Sequence, residues 1–108
     1  MSRTVIAQSR QQGSVSLSSS VWKNVADYNP NRQWLSVQNI GAHPVYLYEG
    51  PTAPSATDGS VSMYYIPQLT AGGLEYNPWI TGDCEAIHVG RIWALCPGNS
   101  GSVIVAEF

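Results

Sequence analysis

Apolar and polar positions alternate with a period of two along much of this chain, the signature of strands that bury one face. The clearest run is Arg32–Gly50, which predicts strands at Gln33–Ile40 and Val45–Glu49 joined as a hairpin by a Gly-Ala-His-Pro turn. In the second strand Val45 and Leu47 fall on one face and are assigned to the core, while Tyr46 and Tyr48 fall on the other. In the first, Leu35 and Val37 oppose Trp34, Ser36, Gln38 and Ile40, and one of these sets must face inward. Further strands are predicted at Val21–Ala26, Val61–Ile66, Glu85–Val89, Arg91–Cys96 and Ser102–Glu107. Between them lie breakers at Asp27–Asn31, Gly50–Ser60, Leu69–Gly73 and Pro97–Gly101, rich in the residues that turns require. Glu85–Val89 and Arg91–Cys96 read as a pair around Gly90, and Pro97–Gly101 as a hairpin loop in which Gly and Asn supply positive φ. No segment has a helical period. Seven or eight short strands with this spacing predict an all-β chain, a single antiparallel β-sandwich or a small barrel.

The first twenty residues break the pattern, being rich in Ser and Gln and poor in large apolar groups. Such composition buries too little surface to offset its ordering entropy. Residues 1–20 are therefore expected to be an extended or partly ordered N-terminal arm, and residues 21–108 the sandwich domain. Within the arm, Thr4–Ala7 and Val15–Leu17 alternate well enough to add as edge strands. Deleting residues 2–20 is expected to spare the fold.

Composition changes the picture in one respect. Only 11% of residues are charged beside 44% hydrophobic, about half the usual charged share of soluble domains. A single domain of 108 residues with so little charge is expected to cover part of its surface with a partner. The net charge of -2 and the scattering of its five Lys and Arg leave no basic face for phosphates, so no nucleic acid is expected. No apolar run has transmembrane length, so no membrane partner is expected. Met1-Ser2-Arg3 leads into a polar segment rather than a signal-peptide core, which points to a cytoplasmic setting.

Candidate chemistry is sparse. Cys84 and Cys96 have no metal-site spacing and are too few for a disulfide framework; two reduced, buried thiols are expected, with a cross-strand bridge as the alternative. His43 and His88 lie far apart, and the carboxylates are dispersed over turns and strand ends. Gly98-Asn99-Ser100-Gly101 resembles the nucleophile turn of chymotrypsin-like proteases, with His43, Asp58 and Asp83 upstream. That architecture places its triad between two barrels, and this chain has length for one. No catalytic residue, cofactor or metal is expected. Four Trp and six Tyr remain. Tyr46, Tyr48, Tyr64, Tyr65 and Trp79 are the candidate contact residues, because aromatic side chains offer large area and Tyr adds a hydrogen bond. Another protein is the expected partner, and a glycan is the alternative.

The whole pattern resembles small virion proteins of tailed bacteriophages. The residues that carry the resemblance are Arg32 followed by Leu35-Ser36-Val37-Gln38-Asn39 and Val45-Tyr46-Leu47-Tyr48, then Leu69-Thr70-Ala71-Gly72-Gly73, then the closing Val103-Ile104-Val105-Ala106-Glu107. It spans residues 32–108 and leaves out the arm. It implies a jelly-roll or similar sandwich that assembles as a homo-oligomer, a trimer by expectation, and binds the major capsid protein or other virion proteins as a capsid decoration (cement) protein. The same resemblance admits a tail or fibre accessory role. Assembly in the host cytoplasm and residence in the virion would follow.

Overall fold

The computed structural model describes residues 11–33, 35–68, 78–81 and 89–107, with side chains at all of these except 11–12 and 78–81. The chain is all-β. Among the described residues there are eight strands, β1 Gln11–Leu17, β2 Lys23–Ala26, β3 Leu35–Asn39, β4 Val45–Glu49, β5 Tyr64–Ile66, β6 Pro78–Thr81, β7 Ile92–Leu95 and β8 Gly101–Glu107. They form two four-stranded sheets, β1-β8-β3-β6 and β2-β7-β4-β5, and every strand pairing within them is antiparallel. This is the strand order of a jelly roll, two Greek keys wound into facing sheets. The expected β-sandwich is present. The predicted turn at Leu69–Gly73, residues Thr4–Ala7 of the arm, the strand Glu85–Val89 up to His88, Cys84 and Trp34 lie outside the described residues.

Two predicted hairpins are corrected. β3 and β4 do not pair: β3 lies between β6 and β8, and β4 between β5 and β7 in the opposite sheet. Residues 40–44 are therefore a corner between sheets. The segment 97–100 is likewise a corner, from β7 in one sheet to β8 in the other. There Gly98 alone takes a positive φ, of 74°, and Asn99 does not. The reason is general: alternation specifies which face is buried, whereas partner choice is set by tertiary packing. Among the described strands only β4 and β5 are consecutive in one sheet, and the long segment 50–63 connects them. The predicted strand Val61–Ile66 shortens to Tyr64–Ile66, because Val61 and Ser62 remain outside the ladder.

The alternation does fix the core. Leu17, Val25, Leu35, Val37, Val45, Leu47, Ile66, Ile92, Ala94, Val103 and Val105 from both sheets form one buried cluster. Each such aliphatic side chain contributes about 1.5–3 kcal/mol when fully buried, alanine less. Leu17 extends this cluster into the Ser-rich segment, since β1 pairs with β8 from Gln11↔Glu107 to Leu17↔Gly101. Removing residues 2–20 would thus remove an edge strand and a core leucine, and the expectation that such a deletion spares the fold is corrected for residues 11–20.

Polar residues occupy two positions on the core-facing rows. Glu107 follows Val103 and Val105 on β8, and Asn39 follows Leu35 and Val37 on β3. Their register puts them at opposite ends, Glu107 opposite Leu35 and Asn39 opposite Val103. Each is buried, and each is answered. Asn39 is fully buried; its Nδ2 donates to the carbonyls of His43 (2.8 Å), Ile66 (3.2 Å) and Pro67 (3.1 Å), and its Oδ1 accepts from Gly41 N (2.9 Å). At the other end Arg32 Nε donates to Glu107 Oε2 at 2.7 Å. The same guanidinium donates to the carbonyls of Gly90 (3.1 Å) and Asp27 (2.6 Å). Arg32 and Glu107 belong to one sheet's strands and approaches, whereas Gly90 and Asp27 flank β7 and β2 of the other. One side chain therefore joins the two layers.

Removing one partner from a buried ion pair leaves the other charge unanswered, at a cost of about 3–5 kcal/mol. Glu107→Ala is expected to lower unfolding free energy by that amount in a denaturant titration, against less than about 0.5 kcal/mol for the exposed Lys23→Ala. Equal, small effects of Glu107→Ala and Lys23→Ala would show that the pair does not hold the fold.

Candidate functional site

The outer face of the β2-β7-β4-β5 sheet is aromatic. Tyr46 and Tyr48 point outward because Val45 and Leu47 are in the core, and Trp93 does so because Ile92 and Ala94 are. Register brings Tyr48 opposite Trp93 and Tyr46 opposite Tyr65. The Tyr46 and Tyr65 rings meet edge to face at 5.2 Å, and Trp22 meets Tyr48 in the same way at 6.1 Å. Such pairs add a modest attraction beyond area burial.

The segment 50–63 lies over this face. Trp93 Nε1 donates to the Gly50 carbonyl at 2.9 Å, and Trp22 Nε1 to the Ala56 carbonyl at 2.8 Å. Gly59 has φ of +85°, and a Cβ there would sit 3.0 Å from the Tyr46 ring, so glycine is required twice over. The Ser60 amide donates to Asp58 Oδ1 at 2.9 Å, a turn within the loop. Hydrogen bonding to Ser60 holds the Asp58 carboxyl below its usual range. With the folded pKa lowered, that contribution is present above the unfolded pKa and is lost as pH falls through the folded one. The loop is thus fastened to its own sheet through the indole N–H groups.

The candidate contact residues separate into three groups. Tyr46 and Tyr48 are half-buried beneath the loop. Tyr64 and Tyr65 are 46% and 49% exposed, and they continue a stretch in which Val61 and Met63 are 44% and 42% exposed. Among the described strands this stretch forms the edge of its sheet, since β5 pairs with β4 and ends the strand order. Met63 N donates to the Leu47 carbonyl at 2.8 Å, which extends the pairing back toward the loop. Trp79 lies on β6, opposite Val37 in the other sheet, and its side chain lies outside the described residues. The structure therefore groups the four tyrosines on one sheet and places Trp79 apart from them.

A second feature lies at the Glu49 end of β4, where the Glu49 amide also donates to Met63 Sδ at 3.2 Å. Tyr28, Glu49, Gly50, Pro51, Gly90 and Arg91 line an open cleft of about 530 Å³. Within its lining the Gly90 N–H donates to Glu49 Oε2 at 2.9 Å, and the Gly90 carbonyl accepts from Arg32. A Cβ at position 90 would fall 2.7 Å from Glu49 Oε2 and 3.0 Å from its Cγ. Tyr28 and Arg91 carried no signal in the sequence, because the cleft forms only when three chain segments converge. In the strand pattern Gly90 is only the break between two predicted strands, and Arg91 only the first residue of the second.

Cys96 is fully buried, and burial pushes its thiol pKa up. Ser100 is exposed in the corner before β8, and the carbonyl of His43 is engaged by Asn39. Among the described residues no group of three or more His, Cys, Asp or Glu side chains could hold a metal ion. No protein-family model, curated protein or solved structure matches the chain.

The indole hydrogen bonds are expected to control the loop. Gly59→Ala forces a left-handed residue onto a β-carbon, a penalty of about 1–2 kcal/mol, and Trp22→Phe removes the Ala56 contact. Both variants are expected to be cleaved faster within residues 51–62 under limited proteolysis while the sandwich stays intact, and Ser55→Ala is expected to match the parent. Unchanged cleavage in both would mean that the loop is held elsewhere.

Proposed function

We propose that this chain is a non-enzymatic structural protein of a bacteriophage virion, a capsid decoration (cement) protein that assembles as a homo-oligomer and binds the shell. The observation that carries the docking role is the exposed run Val61, Met63, Tyr64 and Tyr65 along the β5 edge. Contiguous apolar exposure on a strand edge is costly to keep in water and marks a place where another chain adds. Among the described strands β5 pairs with β4 alone, and the exposed tyrosines and Met63 offer side-chain contact. The virion setting is supported by the resemblance carried by residues 32–108, and jelly rolls recur in viral capsids. Many copies on a repeating shell would let modest contacts add through multivalency.

The reading is tested by light scattering coupled to size-exclusion chromatography and by co-sedimentation with empty phage shells. An oligomer at low micromolar concentration is expected for the parent. The triple variant Met63→Ser/Tyr64→Ser/Tyr65→Ser is expected to keep its fold and lose shell binding by about tenfold or more. A clean monomer that sediments with no shell, or shell binding unaffected by the triple change, would overturn it.

A further inference from the structure

We propose that the cleft formed by Tyr28, Glu49, Pro51, Gly90 and Arg91 is a binding site for a neutral saccharide, one pyranose unit of a glycan. Its volume of about 530 Å³ falls within the range of small-molecule sites, about 300–1,000 Å³. The chemistry of its lining narrows the ligand. A carboxylate and a guanidinium face the same space, so a purely anionic ligand meets Glu49 and a purely cationic one meets Arg91. Hydroxyl groups both donate and accept, and a ring bearing several of them satisfies both residues at once. Tyr28 is 61% exposed and presents, with the Pro51 ring, apolar surface of the kind that the C–H face of a pyranose covers.

The site is held before any ligand arrives. Asn29 N donates to the Val89 carbonyl at 2.8 Å, which anchors the turn that carries Tyr28. The Gly90 amide fixes Glu49 at 2.9 Å, Arg91 Nη1 donates to the Pro51 carbonyl at 3.3 Å, and Gly50 N donates to the Arg91 carbonyl at 3.0 Å. Walls already ordered reduce the entropy cost of binding. Met63, Tyr64 and Tyr65, which carry the docking role, do not line the cleft, although Met63 Sδ accepts from the Glu49 amide at 3.2 Å, so the variants below leave Met63 and Glu49 in place.

The test is saturation-transfer NMR on the full chain with methyl pyranosides of glucose, galactose, mannose and N-acetylglucosamine, with inorganic phosphate and acetate as anionic competitors. At least one pyranoside is expected to bind, to resist competition by both anions, and to weaken about tenfold or more in Tyr28→Ala and in Arg91→Ala. Both side chains are exposed, so thermal unfolding of the two variants is expected to match the parent and shell binding to persist. Absence of binding by every pyranoside, displacement by phosphate, or unchanged affinity in Tyr28→Ala would overturn the assignment.

Discussion

The guanidinium of Arg32 is the constraint on which the arrangement depends. It sits on the approach to β3, reaches the carboxylate that ends the core-facing row of β8, and takes carbonyls that flank β2 and β7. A jelly roll has few sequence-adjacent hairpins, so its two layers are joined mainly by side-chain packing and by corners. A planar group with several donors in fixed geometry can answer acceptors from both layers together. Asn39 does the corresponding work at the other end, between β3 and the end of β5. The apolar core lies between these two polar clamps.

The same network shapes both surface features. Gly90 is held through its carbonyl by Arg32 and through its amide by Glu49, and that fixed peptide lines the cleft. Glu49 closes β4, the strand whose outer tyrosines carry the loop, and the loop returns to the β5 edge. A rigid interior thus presents an aromatic, loop-covered face with an exposed rim. Such a surface suits binding, because affinity at an interface comes from a few well-placed aromatic anchors on a preorganised scaffold.

Much of this was legible in the sequence, and the boundary is physical. Period-two alternation located β3, β4, β7 and β8 and sorted Val45 and Leu47 from Tyr46 and Tyr48, because burial of one face is a local property. Pairing was not legible. The turns at 41–44 and 97–100 look like hairpin turns and serve as corners, since partner choice depends on residues distant in sequence. The clamps were present as parity: Glu107 shares the row of Val103 and Val105, and Asn39 that of Leu35 and Val37. A polar residue on a core row signals a buried partner. Arg32, Asn39 and Glu107 were noticed only as parts of a family-like pattern, and their role as clamps appears once the two sheets are assembled. The cleft had no such signal, because Tyr28, Glu49 and Arg91 come from separate segments with no shared period.

Native-state hydrogen exchange tests the central claim, that Arg32 couples the two sheets into one cooperative unit, most directly. Amides of β3 and β8 and those of β4 and β7 are expected to share one opening free energy in the parent, with the Gly90 amide protected to the same degree. In Arg32→Met the two sheets are expected to part into units of different stability, with Gly90 exchanging early. Separate opening energies for the two sheets in the parent, or a Gly90 amide that exchanges freely there, would contradict the account.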